Sequence, residues 1–204
     1  MTITELREIS TGKFLLGFSD GSELRVGLNT VADLSLFRGR ELTEQDYEDI
    51  LSAAGLAACK ERALRIIGAR PKSCKELYDR LTEKGETPEN AEQTVLWLLE
   101  LRYLDDLQYG QMLLRHYAAR GYGAGKIKNE LFRHGVPKSL WDEIFEQLPE
   151  TEDKVYSLLC KRLGEELPDR AELKKATDAL FRRGFSWDEI KTAVSRFKQE
   201  HPEE

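Results

Sequence analysis

Apolar and polar residues alternate over the first 28 positions, and the spacing becomes helical for the rest of the chain. The alternating stretches Ile3–Ile9, Lys13–Phe18 and Ser22–Leu28 are separated by Ser10-Thr11-Gly12 and Ser19-Asp20-Gly21. An Asp-Gly pair between alternating runs is a strong hairpin signal. The pattern predicts a small three-stranded antiparallel meander, which cannot stand alone at this size and must pack on something. From Asn29 onward a short helix is expected over Thr30–Phe37, ended by Gly39. Thr43, followed by Glu44 and Asp46, has the N-cap chemistry and acidic first turn of a second helix. Its apolar positions Tyr47, Ile50, Leu51, Ala54, Ala58, Ala63, Ile66 and Ile67 run to Pro71, with a break or bend expected at Gly55.

The helical part repeats itself. With Gly85, Gly135 and Gly184 as anchors, Leu81, Leu131 or Leu180 stands four residues before each, and Leu77, Ile127 or Ala176 eight before. Six residues after come Ala91, Trp141 and Ile190, ten after come Val95, Phe145 and Val194, and thirteen after come Leu98, Leu148 and Phe197. This is the template of one helix ending at a C′ glycine, a short turn, and a second amphipathic helix. Thr87-Pro88 supplies an N-cap with proline at N1, Pro137 a proline without the cap, and Ser186-Trp187-Asp188-Glu189 a capping box. A further amphipathic helix precedes each pair, over 60–69, 107–119 and 153–163, with Asp105 as the cap of the middle one. The expected organisation is a meander at 1–28, a helical connector at 29–59, three-helix repeats at 60–105, 106–149 and 150–200, and a tail at 201–204. The fold class is mainly α, with tandem helix-turn-helix-like repeats stacked in an elongated curved body.

Composition narrows the function. The 204 residues contain no apolar run long enough for a membrane span, and Glu5, Arg7 and Glu8 occupy the place of a signal peptide's apolar stretch, so a cytosolic protein is expected. Cys59, Cys74 and Cys160 are odd in number and lack CxxC spacing, and they read as buried thiols, not as a disulfide framework or zinc site. The net charge of −6 argues against a protein that wraps nucleic acid. Only residues 107–148 are net positive, with 6 basic and 4 acidic groups.

Chemistry-bearing motifs are few. Gly121-Tyr122-Gly123-Ala124-Gly125-Lys126 fails as a phosphate loop: Arg120 stands where a glycine is needed, Ile127 where a hydroxyl is needed, and a helix precedes it instead of a strand. It reads as a flexible helix-to-helix connector. His116, His134 and His201 form no HExxH motif and have no paired nucleophile, so neither an enzyme nor a cofactor is expected. The pairs Asp105-Asp106 and Glu165-Glu166 read as a helix cap and as solvated surface. The one concentrated basic stretch, Arg115–Lys138, includes Arg115, Arg120, Lys126, Lys128 and Arg133, is interleaved with Tyr122 and other aromatics, and carries only Glu130 against them. With Ile127 and Leu131 facing the core, Lys126, Glu130 and Arg133 are expected on the exposed side. Exposed cations beside a mobile turn suit an acidic protein groove or a phosphate backbone. Lys174, Lys175, Arg182 and Arg183 form a weaker second cluster, diluted by Glu172 and Asp178.

The run Leu101-Arg102-Tyr103-Leu104-Asp105-Asp106, then Tyr109-Gly110, Arg120-Gly121-Tyr122-Gly123, Lys126-Ile127, Glu130-Leu131 and His134-Gly135-Val136, resembles the RecX family of regulatory proteins. Arg62-Ala63-Leu64, Leu77, Leu81 and Lys84-Gly85 look like that family's first repeat, and the resemblance covers about residues 58–197. It implies a bacterial protein that binds the RecA recombinase filament and lowers its ATP hydrolysis, strand exchange and stimulation of repressor cleavage, within recombination, DNA repair and the SOS response. It carries no catalytic residue over. By match to the motif, Arg120, Gly121, Tyr122 and Gly123 fall at the turn into the second repeat's middle helix, with Lys126 on that helix. The expected contact residues are thus Arg115, Arg120, Tyr122, Lys126, Lys128 and Arg133, with weak DNA contact and a monomeric state. An autonomous helix-turn-helix DNA-binding regulator and a scaffold for an unrelated partner are the alternatives.

Overall fold

The computed structural model describes residues 1–164 and 168–201. Glu165-Glu166 and tail residues 202–204 lie outside the described residues. The chain divides into two compact units, residues 1–72 with 77–104, and residues 73–76 with those from 105 onward.

In the first unit the meander forms as β1 (Ile3–Ser10), β2 (Lys13–Phe18) and β3 (Glu23–Gly27), in the order β1-β2-β3. Both neighbouring pairs are antiparallel, with Leu6 opposite Leu16 and Leu16 opposite Leu24. Gly12 and Gly21 turn the hairpins at φ +71° and +85°, a region that costs an L side chain strain. The following helix α1 (Leu28–Asp33) is shorter than the Thr30–Phe37 span expected. Ser35 takes φ +49°, which stops the helix and lets Leu36 drop into the core, while Gly39 serves the loop beyond it. Helix α2 (Glu44–Ala69) opens with a capping box between Thr43 and Asp46. It passes through Gly55 without the expected break and crosses residue 60 uninterrupted. Gly55 serves packing instead, since a Cβ there would lie 3.1 Å from the Asn90 amide nitrogen.

The meander covers the first half of α2. Ile3, Leu16, Phe18 and Val26 share one cluster with Leu36, Leu42, Ile50 and Ala54, and Phe18 meets Tyr47 edge-on at 5.2 Å. A sheet with one apolar face and a helix with one apolar stripe remove each other's surface from water. Helix α3 (Cys74–Glu83) ends at Gly85, and α4 (Pro88–Glu100) starts from the Thr87 cap and packs on α2.

The second unit holds two complete repeats. The first comprises α5 (Asp106–Ala119), α6 (Ala124–Arg133), a 3-10 turn at Lys138–Leu140 and α7 (Trp141–Phe145). The other comprises α8 (Glu152–Leu163), α9 (Arg170–Arg182) and α10 (Trp187–Glu200). Each has its own core: Leu114, Ile127, Leu131 and Ile144 in one, Val155, Leu159, Phe185, Ile190 and Phe197 in the other. Gly85, Gly135 and Gly184 all take positive φ at the end of their helix, as C′ glycines do.

The third element of the middle repeat departs from the template. Pro137, with no side-chain cap to offer, starts a 3-10 turn and only a short α7. Ile144 becomes the fully buried residue there, and Trp141 and Phe145 sit at the edge of the core. Gly110 makes room for it, because a Cβ on that glycine would lie 2.3 Å from Ile144 Cδ1.

Candidate functional site

The glycine-rich turn is a packed joint between two repeats, not the flexible connector expected. Gly123 N–H donates to Arg183 O and Gly125 N–H to Gly184 O, both at 2.9 Å. A Cβ on Gly123 would stand 2.5 Å from Gly184 O, and one on Gly184 would stand 2.1 Å from Lys126 N. The absence of side chains is what lets the two backbones bond as strands do. Arg183 donates to Gly121 O at 3.3 Å and lies 5.7 Å over the Tyr122 ring, which in turn meets Tyr117 edge-on at 5.8 Å. Lys154 reaches the last carbonyls of α5, Ala118 O and Ala119 O. Tyr122 and Arg183 therefore hold the joint together.

Glu130 corrects the reading of the central patch. Its side chain is only 5% exposed, not on the solvent face expected, and it receives Lys126 at 2.8 Å and Arg133 at 2.6 Å. Tyr117 Oη–H donates to it at 3.2 Å. Burial pushes its carboxyl pKa up, but the bonds from Lys126 and Tyr117 and the Arg133 charge outweigh that and hold it below the ordinary glutamate range. The same carboxylate raises the Lys126 ammonium above its usual value. A buried anion thus neutralises part of the expected cationic surface.

The remaining candidates stay at the surface. Arg115 donates to Gln147 at 3.1 Å, and Arg120, the C-cap residue of α5, lies 3.3 Å from His116 Nε2. Lys128 sits 5.4 Å over the Phe145 ring. Lys174, Lys175 and Arg182 are exposed on α9, Lys175 beside Arg162 and Glu172 in a shallow pocket. Among the described residues no carboxylate lies within ion-pair distance of Arg115, Arg120, Lys128 or Arg182.

An open cleft of about 640 Å³ lies against the joint and brings the two cationic clusters together. Lys126, Lys128 and Asn129 line it from α6, Phe181 and Arg182 from α9, and Ser186 and Glu189 from the start of α10. Sequence reading missed Phe181 and Trp187 here. The two rings stack at 5.1 Å with 50% and 47% exposure, and the only signal for them was two aromatics flanking a C′ glycine.

Other motifs resolve as structure. Asp105 caps α5 by accepting from Gln108 N–H, while Asp106 accepts from Cys74 N–H, both at 2.9 Å. Cys59 is buried as expected, but Cys74 and Cys160 are only partly so. Burial and then the Asp106 carboxylate push the Cys74 thiol up to about 12, away from nucleophilic use. Among the described residues no three His, Cys, Asp or Glu side chains group to hold a metal ion. Nor, among them, is any helix long and apolar enough to cross a membrane.

Family models of the first, second and third three-helix domains of RecX match residues 59–98, 105–144 and 150–194. The regulatory protein RecX of Streptococcus sanguinis (strain SK36) is 28% identical over 207 residues, covering 100% of this chain and 80% of that protein. The RecX of Stenotrophomonas maltophilia (strain R551-3) is 34% identical over 136 residues, 66% of this chain and 83% of its own length. Among solved structures, a regulatory protein RecX superposes with a TM-score of 0.80 at 20% identity, over 95% of this chain and 98% of the other, and so shares its fold. With all three domains matched in order and the meander and repeats in place, the chain belongs to the RecX family of regulatory proteins.

Proposed function

We propose that this protein is a non-enzymatic regulator of the RecA recombinase, acting in the cytosol as a monomer on the RecA–DNA filament. In this reading it inhibits the filament's ATP hydrolysis, strand exchange and coprotease activity. Family membership carries the reading. The exposed cations Arg115, Arg120, Lys128 and Arg182 support it by offering charge to an acidic partner surface. Arg133, with its guanidinium mostly exposed despite the Glu130 bond, adds to this face, whereas Lys126 and Tyr122 position it. Binding that favours one filament state over another shifts their populations by the difference in affinity, so no catalytic group is required.

The test is single-strand-dependent ATP hydrolysis by RecA, followed as this protein is titrated in. Inhibition at substoichiometric protein is expected, and the Arg120→Glu, Lys128→Glu double variant should lose it with an unchanged helical spectrum. Lys126 is a poor target, because a glutamate there would face Glu130 and disturb the fold. Full inhibition by the double variant would remove the central patch from the mechanism. Absence of inhibition by the unmodified protein would overturn the RecA reading.

A further inference from the structure

The cationic patch does not account for the two aromatic rings at the edge of the cleft. Phe181 lies in the last turn of α9 and Trp187 begins α10, and they stack with planes 21° apart while each leaves about half its surface in water. Stacked, exposed rings next to an arginine are the groups on which binding energy concentrates in protein interfaces. These rings are also held in place before any partner arrives. Ser186 caps α10 directly before Trp187, with Ser186 N–H donating to Glu189 at 2.7 Å and Glu189 N–H to Ser186 Oγ at 3.2 Å. Little further ordering would oppose binding.

The walls of the cleft have a definite chemistry. It is lined by Ala124, the Gly184 backbone and Phe185 as well as by Lys128 and Arg182, two cations free of carboxylate partners among the described residues. We propose that this cleft binds an extended acidic segment of the partner protein, in which an aromatic or aliphatic side chain lies between carboxylates. The apolar side chain covers Phe181 and Trp187, one carboxylate meets the Arg182 fork, and another meets Lys128. The inference rests on the reading of the chain as a regulator of a protein filament and assigns the chemistry of one contact.

Charge favours such a peptide over a nucleic acid strand. The chain carries a net charge of −6, and Lys126 is already bonded to Glu130. Glu189 lines the cleft as an anion: burial pushes its pKa up, and the hydrogen bonds from Thr151 and Ser186 bring it below the usual range. A phosphate backbone repeats its charge at every nucleotide and would have to pass that carboxylate. A peptide can space its carboxylates to those two cations and put an apolar group between them. Two free cations match two carboxylates and fall short of the continuous positive groove that single strands require.

The experiment is fluorescence anisotropy with the full chain and a labelled Gly-Ser-Asp-Phe-Asp-Ser-Gly peptide, beside the same peptide with lysine at each acidic position and a labelled oligothymidylate. Saturable binding of the acidic peptide is expected, with none of the lysine peptide. Arg182→Glu with Lys128→Glu should weaken it about tenfold, and Phe181→Ala about fivefold. Trp187→Phe, which keeps a ring in place, should retain binding while abolishing the peptide-induced change in tryptophan emission, so the assignment survives even if Phe181→Ala fails to fold. Three results would overturn the proposal: no saturation at millimolar peptide, equal binding of the lysine peptide, or oligothymidylate binding through these residues where the peptide does not bind. RecA ATP hydrolysis measured on the same samples separates the two readings. Inhibition by the unmodified chain without peptide binding removes the acidic-peptide assignment and leaves the RecA reading standing. Peptide binding without inhibition supports the chemistry of the cleft and removes RecA as its source.

Discussion

Glu130 is the residue at which charge, burial and function meet. A carboxylate with a side chain 5% exposed would be costly alone, and it is held by Lys126, Arg133 and Tyr117 together. Its pKa in the folded protein lies below the ordinary glutamate value of 4.5. A depressed carboxylate contributes stability that is fully present above the unfolded value and is lost as pH falls through the folded one. The unmodified protein should therefore lose stability progressively below about pH 4.5. Glu130→Gln should be less stable at pH 7 by about 1–3 kcal/mol, since a neutral amide bonds the two cations poorly, and should show a shallower acid decline. Urea unfolding of both proteins from pH 7 down to pH 3 decides it. Parallel curves would mean that Glu130 is not the ionised anchor of this face. No charge count from sequence could find this, because position 130 borders the apolar stripe of Ile127 and Leu131 and its side is settled by packing.

At the scale of elements, one glycine position of the repeat does two different jobs. Gly85 and Gly184 both sit at φ +89° beyond a middle helix, yet a Cβ on Gly85 would meet nothing within 4 Å while one on Gly184 would strike the Lys126 backbone. Gly85→Ala should cost only the left-handed strain, about 1–2 kcal/mol. Gly184→Ala should add an overpacking term of about 1–3 kcal/mol. Denaturant titration of the two full-length variants measures the difference, and equal losses would show that the joint yields without cost. The glycine anchors, the caps at Thr43, Thr87 and Ser186 and the Asp20-Gly21 hairpin were legible in sequence because each is a local rule of spacing and residue type. The joint was not, because Gly123 and Gly184 are joined only by tertiary packing, and the same glycines that permit close approach also read as a loose connector. The short α7 was half legible. Pro137 without a cap signalled a weak start, but the shift of burial onto Ile144 follows from Gly110 on another helix.

Across the whole molecule the acidic balance and the buried Glu130 set a limit on how DNA can be bound. Each phosphate neutralised by a lysine or arginine releases counterions, and the logarithm of affinity for duplex DNA falls with the logarithm of salt at about −0.9 per contact. Counting as phosphate contacts only Arg115, Arg120, Lys128 and Arg182, the exposed cations nearest the cleft and the middle repeat, leaves out Lys126 and Arg133, which Glu130 holds, and Arg183, which the joint holds. Four such contacts give a slope of about −3.6. An autonomous DNA-binding regulator making six or more contacts would show a slope of about −5 or steeper. Anisotropy titrations of the full chain on a labelled duplex at several salt concentrations measure it directly. A shallow slope with weak affinity is the outcome expected of a protein whose specificity comes from a protein filament. A slope beyond about −5 would mean that further cations, the exposed Lys174 and Lys175 or Lys126 and Arg133 drawn away from Glu130, also meet phosphate, and the helix-turn-helix-like repeats would then have to be read as DNA-binding elements in their own right.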